Sequence, residues 1–169
     1  GMTLRSPVSS VLDQRFRRAP FSVEAVKARG LFAIPELQQP SDFVRMASQA
    51  MANCDDLRSS LQSAAPCITH SQAMDVLFRL DRISQSVCNV IDAAELARSV
   101  HANEAWREAA HRAFIILSDY IAQLNADPTL YQALASVTDN ASVFSQLTEE
   151  EQRFAVLLRA EFERDGIHL

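Results

Sequence analysis

The sequence predicts an all-α domain, an antiparallel bundle of about five helices around one long central helix. Two observations carry that reading. The first is glycine: 169 residues hold only three, too few for the tight turns that sheet proteins need. The second is a seam in which Val76, Leu80, Ile83, Val87, Val90, Ala94 and Ala97 recur at alternating steps of four and three. That spacing keeps one apolar stripe along one side of an α-helix running from Met74 to about Val100. Leu77, Cys88 and Ile91 widen the stripe, and Phe78 and Leu96 fall almost opposite it. Apolar residues on so many sides predict a central helix, touched by neighbours on several faces. A polar strip of Asp81, Gln85, Asn89 and Asp92 stays wet or meets polar partners.

The chain divides into a basic tail, residues 1–29, and a helical domain, residues 30–169. Gly1 before Met2 reads as a residue left by tag removal. The tail is Arg- and Ser-rich and poor in acids, and Val8, Val11, Leu12 and Phe16 can share one helical face. That pattern fits a mitochondrial transit segment and equally a basic tail that packs or frays. Its loss is expected to leave the fold intact. Gly30 to Pro40 is apolar but interrupted by Pro35 and closed by Pro40, which predicts an extended, packed arm.

Ser41 is placed to cap a first helix reaching about Ala64, with Phe43, Met46, Ala47, Ala50, Met51, Cys54, Leu57 and Leu61 inward and Pro66 ending it. Thr69 or Ser71 caps the central helix. Asn103 caps a third, whose seam is Trp106, Ala110, Ala113, Leu117, Tyr120 and Leu124; its alanines predict close approach to a neighbour. Asp127-Pro128 is a cap followed by proline at the first helical position, and Leu130, Tyr131, Leu134 and Val137 drive a short fourth helix that Asp139-Asn140 breaks. Thr148 and Glu151 have capping-box spacing and open a last helix that buries Phe154, Leu157, Leu158 and Phe162. Gly166 and Ile167 suit a Schellman ending, with Ile167 against Phe162. The connections are short, so successive helices reverse direction.

Charge is uneven. The net charge is -5, with an excess of four positive charges in residues 1–30 and of nine negative charges in the rest. An acidic body argues against nucleic acid as a partner. No apolar run is long enough to span a membrane. Cys54, Cys67 and Cys88 are odd in number and lack metal-ligand spacing, as expected of reduced thiols in an intracellular compartment.

The sequence nominates no catalytic, cofactor-binding or metal-ligating residue. A helical zinc-peptidase site needs two histidines four apart with a glutamate beside the first, and the chain has no such motif. Its histidines, His70, His101, His111 and His168, are scattered and read as surface or loop-end residues. Glu108 and His111 have the Glu-x-x-His spacing of di-iron bundles, yet both fall on the side of the helix away from the Trp106 seam, and a second such pair is missing. Cys88 has no basic helical neighbour and reads as a packed, inert thiol. Glu149, Glu150 and Glu151 are explained by the positive end of the helix dipole. No Gly-x-Ser-x-Gly elbow occurs, and so few glycines build no phosphate loop.

Five segments carry a resemblance: GLFAIPEL (Gly30 to Leu37), LDRISQSVCNVID (Leu80 to Asp92), EAWREAA (Glu104 to Ala110), LYQAL (Leu130 to Leu134) and FERDGIHL (Phe162 to Leu169). In that order they resemble the amino-terminal part of a mitochondrial branch of the thimet oligopeptidase family of zinc metallopeptidases. The resemblance implies a helical portion lining or supporting a substrate channel, with zinc and the His-Glu-x-x-His helix lying in the carboxy-terminal catalytic part. It also implies a peptide substrate, trimmed from imported precursors, and a mitochondrial matrix location. Residues 30–169 carry no catalytic residue of that family, so activity is not expected of this chain alone. Its expected partner is the carboxy-terminal catalytic portion, with self-association of the exposed apolar surface as a further expectation. The alternative is a free-standing helical module that binds a protein partner.

Overall fold

The computed structural model describes residues 29–64, 66, 67 and 69–165. The readings of residues 1–28 as a transit segment or frayed tail, and of Gly166 and Ile167 as a Schellman ending, lie outside the described residues, as does His168. The chain forms two units, residues 1–38 and 39–169.

In the first unit, residues 30–38 form a folded loop where an extended arm was expected. Gly30 adopts φ 66°, and Phe32 and Ala33 follow in the left-handed region at 55° and 61°. The chain therefore turns back on itself: the Leu31 amide donates to the Leu37 carbonyl at 2.8 Å, and the Leu37 amide to the Ile34 carbonyl at 3.1 Å. Only glycine suits position 30, because a Cβ there would lie 1.8 Å from the Ile34 carbonyl oxygen. Apolar composition and prolines excluded a long helix here, but did not reveal that the backbone doubles back.

The second unit is all-α among its described residues. It comprises α1 (Asp42–Gln62), α2 (His70–Val100), α3 (Glu104–Asn125), α4 (Pro128–Thr138), α5 (Ala141–Phe144) and α6 (Glu149–Arg164). Helices α1, α2 and α3 pack mutually; α4 lies against α1, α2 and α6, and α5 against α2 and α4. The 31-residue α2 thus touches four other helices. None of the described helices is long and apolar enough to cross a membrane.

The seven seam residues of α2 are all buried. Around the loop joining α2 to α3, the contact is made of small side chains: Ala94 and Ala97 on one helix, Ala110 and Ala113 on the other, each fully buried. Such residues let the two backbones come close. Phe43 of α1 closes this end, packing edge-on to Trp106 of α3 with ring centroids 6.0 Å apart.

Four of the expected caps are in place. Thr69, rather than Ser71, caps α2 in a reciprocal box with Gln72. Asn103 accepts from the Ala105 amide at 2.9 Å, and Asp127 from the Thr129 amide at 2.8 Å. Thr148 and Glu151 form the second box. Ser41 departs from expectation: it already has helical dihedrals and its side chain makes no cap bond. Asp42 takes over, accepting from the Gln39 amide at 2.9 Å and from Arg45 Nη2 at 2.9 Å.

Further corrections concern packing. Phe78 and Leu96 are 60% and 47% exposed, so the face of α2 opposite the seam is open rather than enclosed. Cys88 is exposed, not packed. Leu157 is 57% exposed; α6 instead buries Ala155 and Phe162. The short α5 was not foreseen. Asn140, read as a breaker, caps it through the Val143 amide and also donates to the Cys67 carbonyl at 3.1 Å.

Candidate functional site

The sequence placed no catalytic or metal-binding residue, and the described histidines are dispersed over the fold. His70 and His111 are exposed; His101 caps the end of α2 and lies against Trp106, ring centroids 5.3 Å apart. Glu108 and His111 both point outward from α3 as exposed side chains. Among the described residues, no group of three His, Cys, Asp or Glu side chains is placed to hold a metal ion.

Cys54 is fully buried, and its thiol donates to the Ile83 carbonyl at 3.5 Å. Burial, with the neighbouring Asp55 carboxylate, pushes its pKa up to about 11. It stays protonated at neutral pH and is a poor nucleophile. Tyr120 donates to Asp55 at 2.7 Å and lies within reach of the Met51 carbonyl at 3.2 Å. Burial first, and that hydrogen bond second, raise its pKa above the usual phenol value. Beside it Arg58 pairs with the buried Asp127, the residue that caps α4. Here Arg58, Tyr120 and Asp127 line a recess of about 200 Å³. Every charged group in it is already engaged in joining α1, α3 and α4, which explains the recess as architecture.

Two other depressions differ in chemistry. One of about 310 Å³, among α1, α2 and α4, carries Gln62, Thr129, Gln132 and Ser136, with no ionisable side chain. The other is a groove of about 280 Å³ between the first half of α2 and the first turns of α6, floored by Met74, Leu77, Phe78 and Phe154. Asp81, Glu150 and Glu151 line it as well. It combines an apolar floor with carboxylates, and no nucleophile paired with a base lines it. The sequence held a partial signal for it: Met74 and Phe78 are one turn apart on α2 and off its seam.

The fold and these surfaces define an all-α domain with shallow depressions between its helices. The comparison with known proteins names the relatives. The chain is homologous to proteins named mitochondrial intermediate peptidase: 38% identical over 141 residues to that of Malassezia globosa, 32% over 140 residues to that of Lodderomyces elongisporus, and 34% over 142 residues to that of Arabidopsis thaliana. These alignments take in 83%, 83% and 84% of this chain but only 17%, 17% and 19% of the respective relatives. The chain therefore spans under one fifth of the length of the curated relatives it matches, and is a helical region related to a peptidase. No family model matches it, and no solved structure does.

Proposed function

We propose that this chain is the amino-terminal helical portion of a mitochondrial zinc oligopeptidase and contributes scaffold or channel wall rather than catalytic groups. The observation that supports it is the homology over four fifths of the chain to mitochondrial intermediate peptidases that extend far beyond the aligned region. In the whole enzyme, zinc and the base that activates water belong to the carboxy-terminal part, and the substrate is a short peptide of an imported precursor in the matrix. Metal-assisted hydrolysis needs a cation with an open coordination position and a nearby base.

The test mixes the chain with a separately expressed carboxy-terminal portion of the same enzyme and follows cleavage of a fluorogenic peptide with and without a chelator. The expected result is silence from either part alone and chelator-sensitive cleavage in the mixture. Chelator-sensitive cleavage by the chain alone would overturn the proposal. Failure of the two parts to associate would favour a free-standing interaction module instead.

A further inference from the structure

We infer that the groove between α2 and α6 is a docking site for a cationic amphipathic peptide helix. Its floor is apolar, and that floor is not sealed by the rest of the second unit, since Phe78 stands 60% exposed. At about 280 Å³ it falls just below the roughly 300–1,000 Å³ usual for drug-sized ligands. A shallow apolar trough between two helices suits the side chains of a third helix laid along it, the partner supplying apolar anchors one turn apart.

Charge selects the occupant. Three carboxylates, Asp81, Glu150 and Glu151, line the groove, and no Lys or Arg does. Two of them are held in place: Asp81 accepts from Gln85 Nε2 at 2.7 Å, and Glu151 accepts from the Thr148 amide at 2.8 Å. Arg82 rests over the Phe78 ring, 6.0 Å from its centroid, and is not among the lining side chains. A rim of this sign repels nucleic acid and anionic lipid and attracts a helix with basic residues flanking its apolar stripe. The site is independent of the peptidase reading, because it rests on the groove alone.

The test uses the full chain and a labelled synthetic helix of about 15 residues, long enough to form a helix on contact, with a leucine stripe flanked by arginines. A second peptide carries glutamate at each arginine position. Fluorescence anisotropy at low salt is expected to show saturable binding of the first peptide, weakening as salt is raised, and none of the second. Phe78→Ser and Glu150→Lys change exposed side chains, so the fold survives, as circular dichroism will verify. Each should weaken binding by about tenfold, the effect of losing one good contact. Equal binding of both peptides, or affinity unchanged by Phe78→Ser, would overturn the inference. So would absence of peptide binding together with a dimer in sedimentation that Phe78→Ser dissolves, which would assign the groove to a second copy of the chain.

Discussion

Where α1, α2 and α3 meet, the buried side chains are mostly aliphatic, aromatic or alanine, with Cys54 among them; α6, by contrast, fully buries Ala155 and Phe162, half-buries Phe154 and Leu158, and is fastened to its neighbours largely through polar groups. Arg159 is the centre of that fastening. It donates to Thr138 at 2.7 Å and to Glu163 at 2.9 Å, pairs with Asp139, and lies over the Tyr131 ring. Tyr131 in turn donates to Glu163 at 2.9 Å. Gln152 holds the Phe144 and Leu147 carbonyls at 3.1 and 3.0 Å, and Asn125 reaches Asp165 at 2.6 Å. The difference teaches that burial stabilises the first region, whereas the second depends on bonds that exchange with water at little net gain. α6 should therefore be the first helix to loosen.

The largest effect is expected in the seam. Ile83 is 5% exposed, so Ile83→Asp places an unpaired charge among apolar neighbours and should abolish folding. Ile83→Ala should cost about 2–5 kcal/mol through lost burial and the cavity left behind. Thermal melts read both, and an Ile83→Asp melt matching the parent would mean that the seam does not hold the bundle together.

The same region should be sensitive to alkali. Burial raises the Cys54 thiol from its ordinary 9.0 to about 11 in the fold. The folded state keeps the proton that the unfolded state releases, so this contribution is complete below pH 9 and is lost as pH rises through 11. It is on the order of 2 kcal/mol. Tyr120, whose pKa is also raised by burial, acts in the same direction at higher pH. Urea unfolding across that interval should show falling stability, with a flatter fall in Cys54→Ala. An identical fall in that variant would show that Cys54 is not the group responsible.

For α6 a smaller loss is expected. Arg159→Met keeps much of the stem while removing every polar bond of the guanidinium. The ion pairs are partly solvated, with Asp139 64% exposed in its side chain, so the cost should be about 1 kcal/mol. Hydrogen exchange should localise it, with faster exchange in α6 and unchanged protection in α2. Equal acceleration in both helices would make the two regions one cooperative unit.

What was legible in the sequence follows the same division. The α2 seam, the alanines of α3 and the caps at Asn103, Asp127 and Thr148 rest on spacing and on local side-chain chemistry, both of which a sequence displays. The loop at Gly30–Gln38 depends on three positive-φ residues within four positions, Gly30, Phe32 and Ala33, two of them not glycine, and no composition signals that. Asn140 was visible as a helix breaker, but its second role, reaching the Cys67 carbonyl 73 positions away, is a tertiary fact. The α2–α6 groove was half legible: its apolar residues were recognised, then assigned to burial, because periodicity tells which side chains share a face but not whether a neighbour covers it.

The open face of α2 gives the smallest expected change and the sharpest test of that last point. Leu96 lies on the same helix as Ala94 and Ala97, which are fully buried, yet is itself 47% exposed. Were α2 enclosed on all sides, Leu96→Lys would bury an ammonium and cost several kcal/mol, as an unpaired buried charge does. With the face open, the lysine stem can lie along the surface while its head stays in water. Helix propensity does not oppose the exchange, since Leu and Lys are nearly equivalent. The expected change in stability is therefore within about 0.5 kcal/mol, the usual range for a surface substitution. A loss comparable with that of Ile83→Ala, both variants being read by thermal melts, would show the outer face of α2 to be covered in solution.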